Sequence, residues 1–134
     1  MKLLFLSLAA LQSASPYQFD LICAGIVQRV SSTPYDPVPI VTRYRVDLDR
    51  RLYCREPCTI QWEIAAVHPT VLHLMWDHNH EGGGWLGRIT INRQTGEYSL
   101  IEVTEPQGEA DGLREDGVCE RTSFSGLPAL QVRF

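Results

Sequence analysis

Residues 40–49 read IVTRYRVDLD. Ile40, Thr42, Tyr44, Val46 and Leu48 share one parity, and Arg43, Arg45, Asp47 and Asp49 share the other. Alternation of this length sends successive side chains to opposite sides of an extended chain; a helix would scatter both sets around its circumference. The stretch therefore reads as a half-buried strand.

The same period recurs on either side. In TIQWEI, Ile60, Trp62 and Ile64 oppose Thr59, Gln61 and Glu63; Ile89 and Ile91 alternate with Arg88 and Thr90; ALQVRF places Leu130, Val132 and Phe134 on one face. QFDLICAGIVQRV and TVLHLMW are apolar on both faces for much of their length, as a central strand is. INRQTGEYSLIEV reads as two strands joined through Asn92 to Gly96, with Gly96 supplying a positive φ at the turn. Pro34, Pro37 and Pro39 make Ser31 to Pro39 a loop, and Glu105 to Gly117 reads as a second, acidic and glycine-rich connection. No stretch of ten residues carries a helical period. About eight short strands are expected, in one all-β domain over residues 16–134 built as a small antiparallel barrel or sandwich.

The chain begins MKLLFLSLAALQSAS. Lys2 followed by the apolar and small residues Leu3 to Leu11 is too short to span a bilayer as a helix and has the make-up of a secretory signal, so residues 1–15 read as a signal peptide. The alternative is a buried N-terminal strand or helix. Removing that segment removes Lys2, the only lysine, and leaves eleven arginines against sixteen acids, a net charge of −5. Schiff-base chemistry, a Ser-Lys dyad and a P-loop all need a lysine. The acidity argues against nucleic acid as a partner. Arg43, Arg45, Arg50, Arg51 and Arg55 form a local basic cluster, but Asp47, Asp49 and Glu56 dilute it. A solvated strand face is expected there rather than an anion-binding patch.

Four cysteines, Cys23, Cys54, Cys58 and Cys119, allow three pairings. In an exported chain, CREPC reads as a tight disulfide loop turned by Pro57, which leaves Cys23 to pair with Cys119. In a reducing compartment the same four would instead be candidates for zinc.

WDHNHEGGGW, residues 76–85, concentrates Asp77, His78, His80 and Glu81, the weak candidates for metal ligands. Gly82, Gly83 and Gly84 deny such a site a rigid frame, and Asp, Asn, His and Gly are what a polar turn uses on conformational grounds. The segment is read as a strand connection. His73 is expected to be a hydrogen-bonded core or rim residue, and His68, before Pro69, a turn residue. No nucleophile or oxyanion hole accompanies the cluster, so no catalytic residue and no cofactor are assigned.

FDLIC, YRVDL with its following C-x3-C, INRQTG and GVCERTSFSG together resemble a group of small exported bacterial proteins of alphaproteobacterial type. The resemblance implies export and a β-rich fold and carries no activity with it. Size, export and a terminal disulfide are also shared with periplasmic lysozyme-inhibitor barrels, whose inhibitory loop motif is not found here.

Three readings of function follow from these features. The first is a non-enzymatic module, periplasmic or secreted and monomeric, that binds a protein, glycan or small ligand or supports the envelope. The second is a metal-dependent or hydrolytic enzyme built on the DHNHE loop. The third is a minimal outer-membrane barrel, for which Phe134 at the end of ALQVRF has the right form, although the strands look short and Arg43 and Arg45 interrupt one face. No transmembrane helix is expected.

Overall fold

In a computed structural model the described residues are 15–29, 37–78, 85–104 and 108–129. Residues 1–14 of the signal-like segment, the last five residues of ALQVRF, and His80 and Glu81 lie outside them.

Eight strands run in chain order: β1 (Gln18–Arg29), β2 (Val38–Asp47), β3 (Leu52–Arg55), β4 (Gln61–Val67), β5 (Val71–His78), β6 (Trp85–Asn92), β7 (Glu97–Thr104) and β8 (Gly108–Thr122). Each pairs antiparallel with the next, and β8 returns to β1, so the sheet closes into an up-and-down barrel. Closure matters physically because it gives every strand a neighbour on both sides, although the short β3 covers only Tyr44–Asp47 of β2. The seam runs from Asp20 opposite Thr122 to Arg29 opposite Leu113.

The alternation expected for residues 40–49 sets the barrel wall. Thr42, Tyr44 and Val46 point inward and are buried, while Arg43 and Arg45 point outward. β2 stops at Asp47, and Leu48 belongs to the following turn. Phe19, Leu21 and Cys23 fill the interior from β1, with Tyr53 from β3, Ile64 from β4, Leu72, Leu74 and Trp76 from β5, Ile89 and Ile91 from β6, and Tyr98 and Leu100 from β7. The barrel is filled rather than hollow. Each fully buried large apolar side chain contributes about 1.5–3 kcal/mol against leaving it in water.

Two aromatic side chains need glycine opposite them. Trp76 pairs with Gly87 across β5 and β6, and a Cβ on Gly87 would lie 2.0 Å from the indole ring. A Cβ on Gly25 would lie 2.3 Å from the Tyr98 hydroxyl and 2.5 Å from the Asp116 carbonyl oxygen. Glycine makes room for the indole at Gly87, and for the Tyr98 hydroxyl and the neighbouring β8 backbone at Gly25.

Two expectations are corrected. Glu105 to Gly117 is not a connection: β8 begins at Gly108 and is the longest strand, at 15 residues. Its charges hid it, because Glu115 points inward and is buried while Arg114 and Asp116 point outward, so no apolar alternation shows. Leu52–Arg55 forms a strand that the sequence pattern did not single out, so the count of eight is reached without ALQVRF. Ala129, the one described residue of that hexapeptide, is not in a strand.

Both disulfides are present, Cys23–Cys119 and Cys54–Cys58. Cys23 and Cys119 stand directly opposite each other on the seam, with Cα atoms 3.9 Å apart. Two such bonds indicate an oxidising, non-cytoplasmic setting.

Beyond β8, the chain crosses the outside of the barrel. Ser125 donates its backbone N–H (3.2 Å) and its hydroxyl to the buried Asp20 carboxylate, which also takes the Arg43 guanidinium at 2.8 Å. Gly126 accepts from Arg45 at 3.0 Å, and Pro128 accepts from Gln61 at 2.5 Å. Arg43 and Arg45 are therefore partly covered and charge-balanced, while Arg50 and Arg51 are exposed as expected of a solvated face. Glu56 pairs with Arg45, Asp47 with Arg50, and Arg55 points into the barrel toward Glu102 at 4.0 Å.

Candidate functional site

Of DHNHEGGG, read as a strand connection, Asp77 and His78 belong to a strand instead, and residues 79–84 lie outside the described residues. Asp77 and His78 end β5, paired with Leu86 and Trp85 of β6. Their side chains lie outside the described residues, so the ligand set is not assembled by the structure. His73 lies on the outer wall, half-buried, with Nδ1 3.2 Å from the Thr90 hydroxyl. His68 is exposed in the β4–β5 turn, where its N–H donates to Val71 O. Their rings meet edge-on, with centroids 5.8 Å apart. Among the described residues, no group of three His, Cys, Asp or Glu is placed to hold a metal.

The interior carries its own polar layer on the side toward the β5–β6 connection. Trp76 donates to Glu102 Oε2 at 3.1 Å, with the Arg55 guanidinium 5.8 Å from its ring centroid. Tyr98 donates to the buried Glu115 at 2.5 Å, and Tyr53 donates to Met75 O at 2.5 Å. Burial pushes all three phenols, Tyr44, Tyr53 and Tyr98, far above their ordinary value; for Tyr98 the hydrogen bond to Glu115 and its charge add to the effect. These hydroxyls stay protonated at any physiological pH. Tyr53 and Tyr98 act as donors and not as bases. The Tyr44 hydroxyl is buried with no partner among the described residues.

The feature best suited to function lies at the opposite end. There β1, β5, the β6–β7 hairpin and β8 leave a cavity of about 240 Å³ open to the barrel mouth. Its floor is Phe19, Leu21, Leu72, Ile91 and the Cys119 half of the seam disulfide, all buried. Its rim is the hairpin turn Asn92–Gly96 together with Arg121.

Local sequence explains why that rim is preformed. Asn92 Oδ1 accepts from the backbone N–H of Gln94 (2.9 Å) and Thr95 (3.1 Å), and Thr95 Oγ1 accepts from Glu97 N–H at 3.2 Å. Gly96 then takes φ = 80°, as its place in the sequence implied, and exchanges backbone bonds with Asn92 and Cys119. The two guanidiniums are held by carbonyl oxygens: Arg93 Nη1 donates to His68 O at 2.8 Å, and Arg121 Nη2 donates to Pro16 O at 2.6 Å. Arg121 also stands 4.4 Å from the Phe19 ring centroid.

Neither Arg93 nor Arg121 was singled out from the sequence. INRQTG was read for its turn and GVCERTSFSG for its cysteine, and both for the resemblance they carry. The available signal was an arginine inside each of those two motifs, but nothing in the linear order shows that they share a mouth. Comparison with protein families, with curated proteins and with solved structures finds no match for the chain.

Proposed function

We propose that this protein is a non-enzymatic binding module, periplasmic or secreted, that takes a ligand at the mouth framed by the β6–β7 hairpin. The observation that carries the reading is the cavity itself. A barrel whose interior is otherwise packed by Tyr44, Tyr53, Leu74 and Ile89 keeps a mixed apolar and basic recess at one end. Concave sites with an apolar lining and a few convergent polar groups are where small ligands bind.

Further support comes from what surrounds it. The interior phenols are held protonated, so they supply no base for hydrolysis. The outward positions mix Arg43, Arg45, Arg114, Asp116 and Glu120 with exposed apolar residues such as Val41, Met75 and Val118, a mixed wall rather than the continuous apolar band that meets lipid. The disulfides and the leader-like N-terminus support export.

Amide chemical-shift titration tests the binding reading, using a panel of amino acids, sugars, short carboxylates and short alcohols. At least one compound should move the amides of Asn92–Gly96 and of Cys119–Arg121 while β3 and β4 stay still. A panel that moves only residues elsewhere, or none, overturns the proposal.

A further inference from the structure

The lining of the mouth contains two arginines and no acid, in a chain whose formal net charge is −4. Neither Arg93 nor Arg121 pairs with a carboxylate among the described residues, whereas Arg43, Arg45, Arg50, Arg55 and Arg114 all do. Each mouth guanidinium spends one N–H on a backbone carbonyl and keeps further donors, since arginine has five. Those carbonyl bonds, and the stacking of Arg121 on Phe19, fix the groups in place before any ligand arrives, which lowers the ordering cost of binding. The positive charge of this cavity is thus localised and oriented, with no carboxylate paired to it among the described residues.

Beneath the guanidiniums, the floor is apolar. A bare phosphate or sulfate would satisfy the arginines but make no use of the apolar floor of Phe19, Leu72 and Ile91, and a neutral hydrocarbon would use the floor but leave the two exposed guanidiniums without an anionic partner. We infer that the mouth binds a small monocarboxylate with a compact apolar body, such as a medium-chain or aryl carboxylate, its carboxylate between Arg93 and Arg121 and its body on the floor. The volume agrees with a small guest: about 240 Å³ lies below the ~300–1,000 Å³ of pockets for drug-sized molecules. This inference rests on the mouth being a binding site, and its test separates the two claims.

Hexanoate, 1-hexanol and inorganic phosphate are titrated separately into the isotope-labelled full protein. Hexanoate should saturate shifts at Gly96 and Cys119 at least about tenfold more tightly than either of the others, a factor worth about 1.4 kcal/mol. Arg93→Gln and Arg121→Gln should each weaken hexanoate by about tenfold, the loss of a charge-assisted hydrogen bond, and leave 1-hexanol unchanged. Arg93→Gln is the cleaner variant because Arg121 also packs on Phe19; a retained cooperative thermal transition confirms that each is folded. If 1-hexanol saturates the same shifts as tightly as hexanoate, the carboxylate assignment falls and the mouth remains a binding site. Phosphate binding as tight as hexanoate overturns the role of the floor, and hexanoate shifts absent or confined to other strands overturn both claims.

Discussion

Removing the seam disulfide should cost far more than removing the β3 disulfide, for reasons the topology makes quantitative. Cys23 and Cys119 are 96 positions apart and sit on the two strands that close the barrel, so their bond encloses nearly every other strand. Cys54 and Cys58 are 4 positions apart. In the chain-entropy model the first cross-link stabilises by about 4.7 kcal/mol and the second by about 2 kcal/mol, a difference of roughly 2–3 kcal/mol. The double variants Cys23→Ala/Cys119→Ala and Cys54→Ala/Cys58→Ala isolate each bond. Both seam cysteines are buried, so lost packing adds to the first value and the stability difference alone would not identify the entropic cause. Urea unfolding supplies the separate readout. Freeing a chain cross-linked over that span lets the denatured state expand, so the m-value should rise for the seam variant and barely change for the other. Non-reducing peptide mapping of the parent should recover the same two pairs. The reasoning is refuted if the β3 variant loses as much stability as the seam variant, or if the seam variant loses stability with no change in m.

Gly87→Ala should destabilise by about 1–3 kcal/mol and alter the near-ultraviolet circular dichroism, because the new Cβ displaces Trp76 and with it the bond to Glu102; an unchanged aromatic spectrum would contradict the packing described. Asp47 provides a pH test. Burial alone would raise its carboxyl, but side-chain and backbone hydrogen bonds from Arg50 and one from Gln18 outweigh that and hold it below the ordinary value. A lowered folded value means stability present above the unfolded pKa and lost as pH falls through the folded one. The gap between wild type and Asp47→Asn should therefore be about 1–3 kcal/mol at neutral pH and should narrow steadily below about pH 4; a gap independent of pH would count against it. Replacing His78 and His80 together with Ala should change stability by no more than about 0.5 kcal/mol, as at exposed sites; a larger loss, or metal in the purified parent and not in the variant, would favour the ligand reading of the loop.

What the sequence disclosed followed from how directly a pattern maps onto a wall. Ile40 to Asp49 alternates cleanly, and its inward and outward residues are those expected as far as Val46. Gly96 announced its own turn, since positive φ is a local demand. Residues 108–117 of β8 were hidden because their inward positions include Glu115 and Gly117: the acid is masked by Tyr98, and the glycine lies directly opposite Gly25 on the seam. Both explanations are tertiary, so neither is visible in residues 105–117 alone. Arg45 looked solvated for the same kind of reason, because its partner Gly126 lies 81 residues away. The mouth was least legible of all. Phe19, Leu72, Arg93 and Arg121 come from four separate parts of the chain, and only closure brings them together.

The segment that crosses the outside of the barrel has a consequence in time. Asp20, near the start of the first strand, is screened from water by Ser125, 105 residues later, and that same strand finds its second neighbour only in β8. No N-terminal fragment can satisfy it. Contacts this distant along the chain form late, and barrels dominated by them fold in milliseconds to seconds rather than microseconds. A nascent chain thus stays open until β8 and the segment carrying Ser125 have been synthesised, and remains threadable through a narrow channel for as long as that closing contact is missing.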